Sequence, residues 1–412
     1  METLTPPATH HLRAARYVIA AGVVAALHVG KLPPALPVLK EVLGISLLQA
    51  GFLLSLVQLA GMALGLFTGL AAQRIGLKRS MVAGLLILAG ASALGGMAQS
   101  PAWLLATRVL EGVGFLWIVL PAPGLVRRLV PPERLNGMLG VWGAYMPLGA
   151  SLALLAGPSV MHLGAPDWGW RAWWWFLSAL AVLLALLLVG RVPADPPKPP
   201  TSVQARQGAQ QSHQRQLLSL TLRSRAVWLM ALTFAMYSGQ WLAVIGFLPS
   251  IYAQAGLPGG VTAWLTAGAA AVNILGNLLA GRLLGRGTPP FTLLTTGFVA
   301  MSAGALLAFG ATAFPLWQYA GVLVFSTLGG LIPATLFSLS IRLAPSTDTV
   351  STTVGWMQQW SALGQFAGPP LVAWVAAHYG SWQLTGWLTS VCCVIGIFLA
   401  WQIQAMLFSE KK

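Results

Sequence analysis

Charge is what this 412-residue sequence has least of. Only 8% of its residues are charged, with 8 acids against 23 lysines and arginines. A soluble domain of ordinary composition carries about a quarter charged residues, so there are too few here to cover a water-facing surface. Cysteine is nearly absent too. Cys392 and Cys393 are adjacent, neighbours do not reach ordinary disulfide geometry without strain, and both read as small packing residues. No His/Cys spacing of a metal site, no Ser/His/Asp set and no glycine-rich loop ending in Gly-Lys-Ser/Thr is found. An enzyme, a nucleotide-driven pump, a bound metal and a cofactor are therefore not expected.

What is present is apolar. Hydrophobic residues make up 57% of the chain, and long runs of them recur from about residue 16 to residue 407. Crossing roughly 30 Å of hydrocarbon takes about 20 residues of helix. Glycine (46) and proline (27) are plentiful inside these runs, as membrane helices tolerate. The runs predict an all-α membrane protein with twelve spans, over 16–39, 46–72, 80–98, 102–126, 136–160, 171–190, 226–253, 260–281, 291–310, 315–341, 350–378 and 383–407. Residues 1–15 are polar and the first run is long enough to span, so the first span is expected to be a permanent helix and not a cleaved signal.

The net charge of +15 has a position as well as a size. Lys40 and Arg171 fall on one side of these spans, and Lys31 and Arg108 lie within them. The remaining nineteen basic residues fall on the side that holds both termini. By the positive-inside rule that side is the cytoplasm. The basic surplus thus reads as topology, and no nucleic-acid partner is expected.

Residues 191–225, rich in proline, glutamine and basic residues, interrupt the apolar pattern midway. They read as a cytoplasmic linker between a half at 1–190 and a half at 226–412. The halves echo each other. Leu36-Pro37 and Gly44 recur as Leu248-Pro249 and Gly256, and Leu120-Pro121-Ala122 as Ile332-Pro333-Ala334, both at an offset of 212. Pro131 and Trp142 recur as Pro345 and Trp356, and Gly157-Pro158 as Gly368-Pro369. Ordered matches across corresponding spans predict a parallel duplication, two six-helix bundles of the kind that transporters rock about a midplane site.

Between spans 2 and 3 stands Gly69-Leu-Ala-Ala-Gln73-Arg74-Ile-Gly76-Leu77-Lys78-Arg79. This resembles the cytoplasmic signature of the major facilitator superfamily, a Gly, three residues, Asp-Arg, any residue, Gly and then basic residues. Gln73 stands where the family has an acid, and Leu77 where it has the first basic residue. The resemblance implies a gating loop formed by Gly69, Gln73, Arg74, Gly76, Lys78 and Arg79, with a latch weakened by the missing acid. A degenerate echo follows span 8 at Gly281-Arg282-Leu-Leu-Gly285-Arg286. Span 4 begins Arg108-Val-Leu-Glu111-Gly112, which is similar to the family's fourth-helix motif. The ending Gly368-Pro369-Pro370 with Tyr379-Gly380-Ser381-Trp382 loosely resembles the cyanate/nitroimidazole-type permease branch, whose first-helix segment is not reproduced.

An ionisable group in hydrocarbon is costly and is a candidate functional residue. Span 1 carries His28 and Lys31, and span 4 carries Arg108 and Glu111, each pair three residues apart and so on one helical face. Lys31, Arg108 and His28 are the expected positive locus for an anionic substrate, since helices 1, 4, 7 and 10 line the cavity in the family. Lys31 has a second reading, snorkelling outward from past the middle of its span. Glu111 is the expected proton-coupling group, or else a plain counter-ion to Arg108 or Lys31. The second half offers neutral groups instead: Tyr237, Gln240, Trp241 and Gln358 are the expected substrate contacts, and Gln240 is the counterpart of His28 at the offset of 212. Trp241, Trp356 and Trp360 either face substrate or pack between helices. The Trp168–Trp175 stretch reads as an interfacial aromatic belt.

The expectation is therefore a proton-coupled secondary transporter of a small organic solute, with a preference for an anion. It would be monomeric, in a bacterial inner membrane, with both termini cytoplasmic. A drug or metabolite exporter with a permissive aromatic cavity is the alternative, and a non-transporting receptor of the same fold is the alternative of another class.

Overall fold

The computed structural model describes residues 9–164, 168–195, 215–311 and 314–409. Among them every regular element is an α-helix or a short 3₁₀ turn. The first six spans begin with α1 (Thr9–Gly30) continuing into α2 (Leu32–Leu43). The second is α3 (Leu47–Ser55), a 3₁₀ turn Leu56–Gln58 and α4 (Leu59–Ile75), and the third is α5 (Leu77–Gly96). Then come α6 (Pro101–Val119) with α7 (Ala122–Leu129), α8 (Pro132–Gly143) with α9 (Tyr145–Leu163), and α10 (Trp170–Arg191). After a helical stretch at 215–223 the second six are α11 (Arg225–Gln254), α12 (Gly259–Ala271) with α13 (Asn273–Gly285), and α14 (Pro290–Gly310). They end with α15 (Pro315–Gly329) and α16 (Leu331–Arg342), α17 (Val350–Tyr379) and α18 (Leu384–Ser409).

Eleven of these spans, among the described residues, are long and apolar enough to cross a membrane. The twelfth, α17, has the length at 30 residues, but Gln358, Gln359 and Gln365 dilute its hydropathy. The twelve spans follow the sequence-based boundaries closely, because hydrocarbon thickness sets helix length directly. Residues 196–214 of the predicted linker lie outside the described residues.

Several spans are broken, and sequence explains where. Pro33 and Pro34 have no N–H to give the preceding turn, and span 1 breaks at Lys31 just before them. Pro121 and Pro123 do the same between α6 and α7. The 3₁₀ turn in span 2 and the break at Val272 in span 8 lie close to the 212 offset, a structural echo of the duplication.

The chain forms two compact units. One comprises Met1–Ala60, Phe67–Pro196 and Gly246–Ala270; the other comprises Gly61–Leu66, Pro197–Ile245 and Ala271–Lys412. In the first, the third span packs extensively on the fourth and the sixth; in the second, the ninth packs on the tenth and the twelfth. Glycine makes the closest of these crossings possible. A Cβ on Gly84 would stand 2.8 Å from the Gly114 carbonyl oxygen, and one on Gly304 would stand 2.6 Å from that of Gly321. Apolar helices in lipid gain nothing from mutual burial alone, so small residues that admit backbone contact carry the packing.

Candidate functional site

The break at Lys31 sits beside α6 in the first unit. Arg108 and Glu111 lie one turn apart on α6, and Gly112 lets that helix touch the 3₁₀ turn of span 2: a Cβ there would stand 2.6 Å from the Val57 carbonyl oxygen. This approach brings Arg108 Nε to the Leu53 carbonyl, 3.0 Å away, and Nη1 to the His28 carbonyl, 2.8 Å away. Glu111 is the hub. One carboxylate oxygen pairs with Lys31 Nζ and the other with Arg108 Nη1. Lys31, Arg108 and Glu111 are each 0% exposed, so Lys31 does not snorkel. Two cations share one carboxylate in a site closed to solvent.

The far side of Lys31 is held by residues that sequence reasoning did not assign. Lys31 Nζ donates to Ser92 Oγ at 2.9 Å, and Ser92 donates to the Trp174 carbonyl at 2.9 Å. The ammonium also lies 4.7 Å from the centroid of the Trp174 ring, a cation–π contact. Trp173 Nε1 donates to the Lys31 carbonyl at the helix break, 3.3 Å away. This corrects the interfacial-belt reading of the Trp168–Trp175 stretch. Trp170, Trp173 and Trp174 are core residues, and Trp168 is exposed. A period-3.6 helix with indoles at successive positions must turn some of them inward, and the broken backbone of span 1 gives Trp173 an acceptor.

His28 is buried, and its Nδ1 lies 2.9 Å from the Val24 carbonyl. In the second unit its counterpart Gln240 makes the same bond one turn back, Nε2 to the Met236 carbonyl at 2.6 Å, and accepts from Cys393 Sγ at 3.2 Å. Tyr237 exchanges hydrogen bonds with Asn273, which also donates to the Ser326 carbonyl at 2.8 Å. Trp241 Nε1 donates to Ser326 Oγ at 3.2 Å. The second unit thus brings Tyr237 and Trp241 into one uncharged network with Asn273 and Ser326. Gln358 stands apart, half-buried, and Trp356 and Trp360 pack on Trp228 with ring centroids 5.1 and 5.3 Å away.

In the predicted gating loop, α4 carries Gly69, Gln73 and Arg74, whose side chains lie outside the described residues. Gly76 has φ +115°, a conformation that favours glycine. Beyond it the structure reveals a partner the sequence reading passed over inside the linker. Asp195 accepts from the backbone N–H of Lys78 at 3.1 Å and of Arg79 at 3.0 Å, and pairs with Arg128 at 2.9 Å. Lys78 Nζ in turn donates to the carbonyls of Val189 and Val192, 2.9 and 2.6 Å away. Burial pushes the Asp195 carboxyl up, but the two N–H bonds and the Arg128 guanidinium outweigh it and hold the group below the usual carboxylate range. A depressed carboxyl contributes stability above its unfolded pKa and loses it as pH falls through the folded one. Asp195→Asn is therefore expected to cost about 1 kcal/mol near neutral pH. The deficit against the parent should vanish in thermal unfolding scans at acidic pH.

The family model of the Major Facilitator Superfamily matches residues 18–369, and the chain belongs to that superfamily. It is 26% identical to the inner membrane metabolite transport protein YgcS of Escherichia coli (strain K12), over 83% of this chain and 80% of that one. It is 24% identical to the gentisate transporter of Corynebacterium glutamicum, over 77% of this chain and 70% of that one. It spans only 31% of the puromycin resistance protein of Streptomyces alboniger, at 34% identity over 163 residues. The fold is similar to a bacterial homolog of the human lysosomal transporter Spinster in an inward-facing, unoccupied conformation, with a TM-score of 0.79 and 16% identity over 97% of this chain and 98% of that one. A D-xylose–proton symporter superposes with a TM-score of 0.73 at 14% identity, covering 95% and 98%. The protein is an integral membrane protein of this transporter superfamily.

Proposed function

We propose that this chain carries a small organic anion together with protons, by alternating exposure of the Lys31–Glu111–Arg108 cluster to the two faces of a bacterial inner membrane, with both termini cytoplasmic. The observation that carries the reading is the surplus positive charge of that cluster. A buried charge without a partner costs several kcal/mol, so the cluster attracts one further anion. Glu111 faces Lys31, Arg108 and His28. A proton on Glu111 would cancel its charge and free the Arg108 guanidinium for the incoming anion, which ties anion and proton movement together. Relatives named as gentisate and cyanate transporters and a fold neighbour named as a proton symporter support this direction.

A second reading, efflux of an apolar metabolite, has its own support in the 34% identity to the puromycin resistance protein and to the tetracenomycin C resistance and export protein of Streptomyces glaucescens. Proteoliposomes decide between them. Organic acids should be taken up under an inward pH gradient and exchange without one. Movement of lipophilic drugs alone favours efflux, and ligand binding without flux marks a receptor.

A further inference from the structure

Lys31 and Arg108 differ in what they have left to offer. An ammonium has three N–H groups. Those of Lys31 are met by Glu111, by Ser92 and by the face of Trp174. A guanidinium has five in a rigid fork. Arg108 uses Nε on Leu53 and Nη1 on His28 and Glu111, while its Nη2 is buried with no partner. His28 has a matching vacancy. A carbonyl can only accept, so Nδ1, facing the Val24 carbonyl, carries the hydrogen, and the neutral ring presents Nε2 as an acceptor. That Nε2 is also buried without a partner. Unmet buried polar atoms are costly, and these two belong to residues already joined through Arg108 Nη1 and the His28 carbonyl.

We infer that Arg108 Nη2 and His28 Nε2 are the ligand contacts, and that Lys31 with Glu111 is a neutral pair that never touches the ligand. Arg108 receives an anionic oxygen, and His28 accepts a hydrogen bond from a hydroxyl of the same molecule. The ligand class is a hydroxylated carboxylate. Lys31 is a counter-ion: it balances the Glu111 carboxylate that also meets Arg108, so the guanidinium keeps its positive charge for the ligand. Ser92 and Trp174 keep the ammonium from competing for the ligand. The inference rests on the proposed function and deepens it.

The test measures counterflow and equilibrium binding of salicylate and of benzoate, which lacks the hydroxyl, to the purified full-length protein in liposomes. The double variant K31M/E111Q removes both charges of the pair at once, and the amide at position 111 keeps an oxygen that can accept from Arg108. It should bind salicylate within about threefold of the parent while losing acceleration by a pH gradient. Arg108→Gln should lose affinity for both acids by about 10–100-fold, the value of a charge-assisted contact. His28→Phe should lose about 10-fold for salicylate and leave benzoate unchanged. A double variant as crippled in binding as Arg108→Gln overturns the inference, and so does a His28→Phe protein that treats the two acids as the parent does. His28→Phe adds no charge, so it decides the matter even if the double variant does not fold. If the parent itself moves no organic anion, the proposed function falls first.

Discussion

Glu111→Gln is expected to abolish acceleration of transport by a pH gradient and to destabilise the first unit by about 3–5 kcal/mol. The reason lies in the number of groups that depend on one carboxylate. Lys31 and Arg108 are both fully buried, and each takes one of its oxygens. An amide retains one acceptor, so at least one cation is left facing a neutral donor in a medium that stabilises charge poorly. Glu111→Asp separates charge from reach. It keeps the negative charge but is one methylene shorter and cannot bridge both partners. Its apparent Tm should fall between the parent and Glu111→Gln, with proton-driven uptake reduced and not lost. Equal apparent Tm values for the parent and Glu111→Gln would show that the cluster does not stabilise the bundle.

Gly112→Val should damage both stability and transport, although it changes no polar side-chain atom. The obstacle is backbone. A Cβ at 112 would meet the Val57 carbonyl oxygen at 2.6 Å and its carbonyl carbon at 3.0 Å, neither of which can rotate away. The helices must part, at a cost of about 1–3 kcal/mol, and Arg108, one turn earlier on α6, is drawn off the Leu53 carbonyl. Transport should fall at least about tenfold, as misplacement of binding groups by an ångström allows, while Gly90→Ala, with nothing within 4 Å of its added Cβ, should match the parent in both uptake and thermal stability. Parallel expression, unfolding and uptake measurements on the two variants check this.

Much of this molecule was legible before any coordinates. Span number and limits follow from hydrocarbon thickness, a constraint that acts on each segment separately. Arg108 and Glu111 meet because they are three apart on one helix, which is local geometry. The duplication was legible too, including Gln240 as the counterpart of His28; the structure added that each bonds the carbonyl one turn back, of Val24 and of Met236, because repeated sequence repeats its local conformation.

The rest depends on contacts between residues far apart in the chain. Lys31 reaches Glu111 across 80 positions, and Ser92 and Trp174 fill the remaining donor directions of its ammonium. That arrangement leaves the open edge to Arg108. Asp195 lies in a proline-rich stretch that reads as tether, yet it meets the N–H groups of Lys78 and Arg79 more than a hundred residues away. Three tryptophans that read as part of an interfacial belt are core. Hydropathy acts one segment at a time, so the sequence alone determined that the chain crosses the membrane twelve times and which ionisable groups lie within the spans. Only the tertiary structure decided which of those groups are saturated and which remain free, because hydrogen-bond capacity is spent on whichever partners the packing brings within 3 Å.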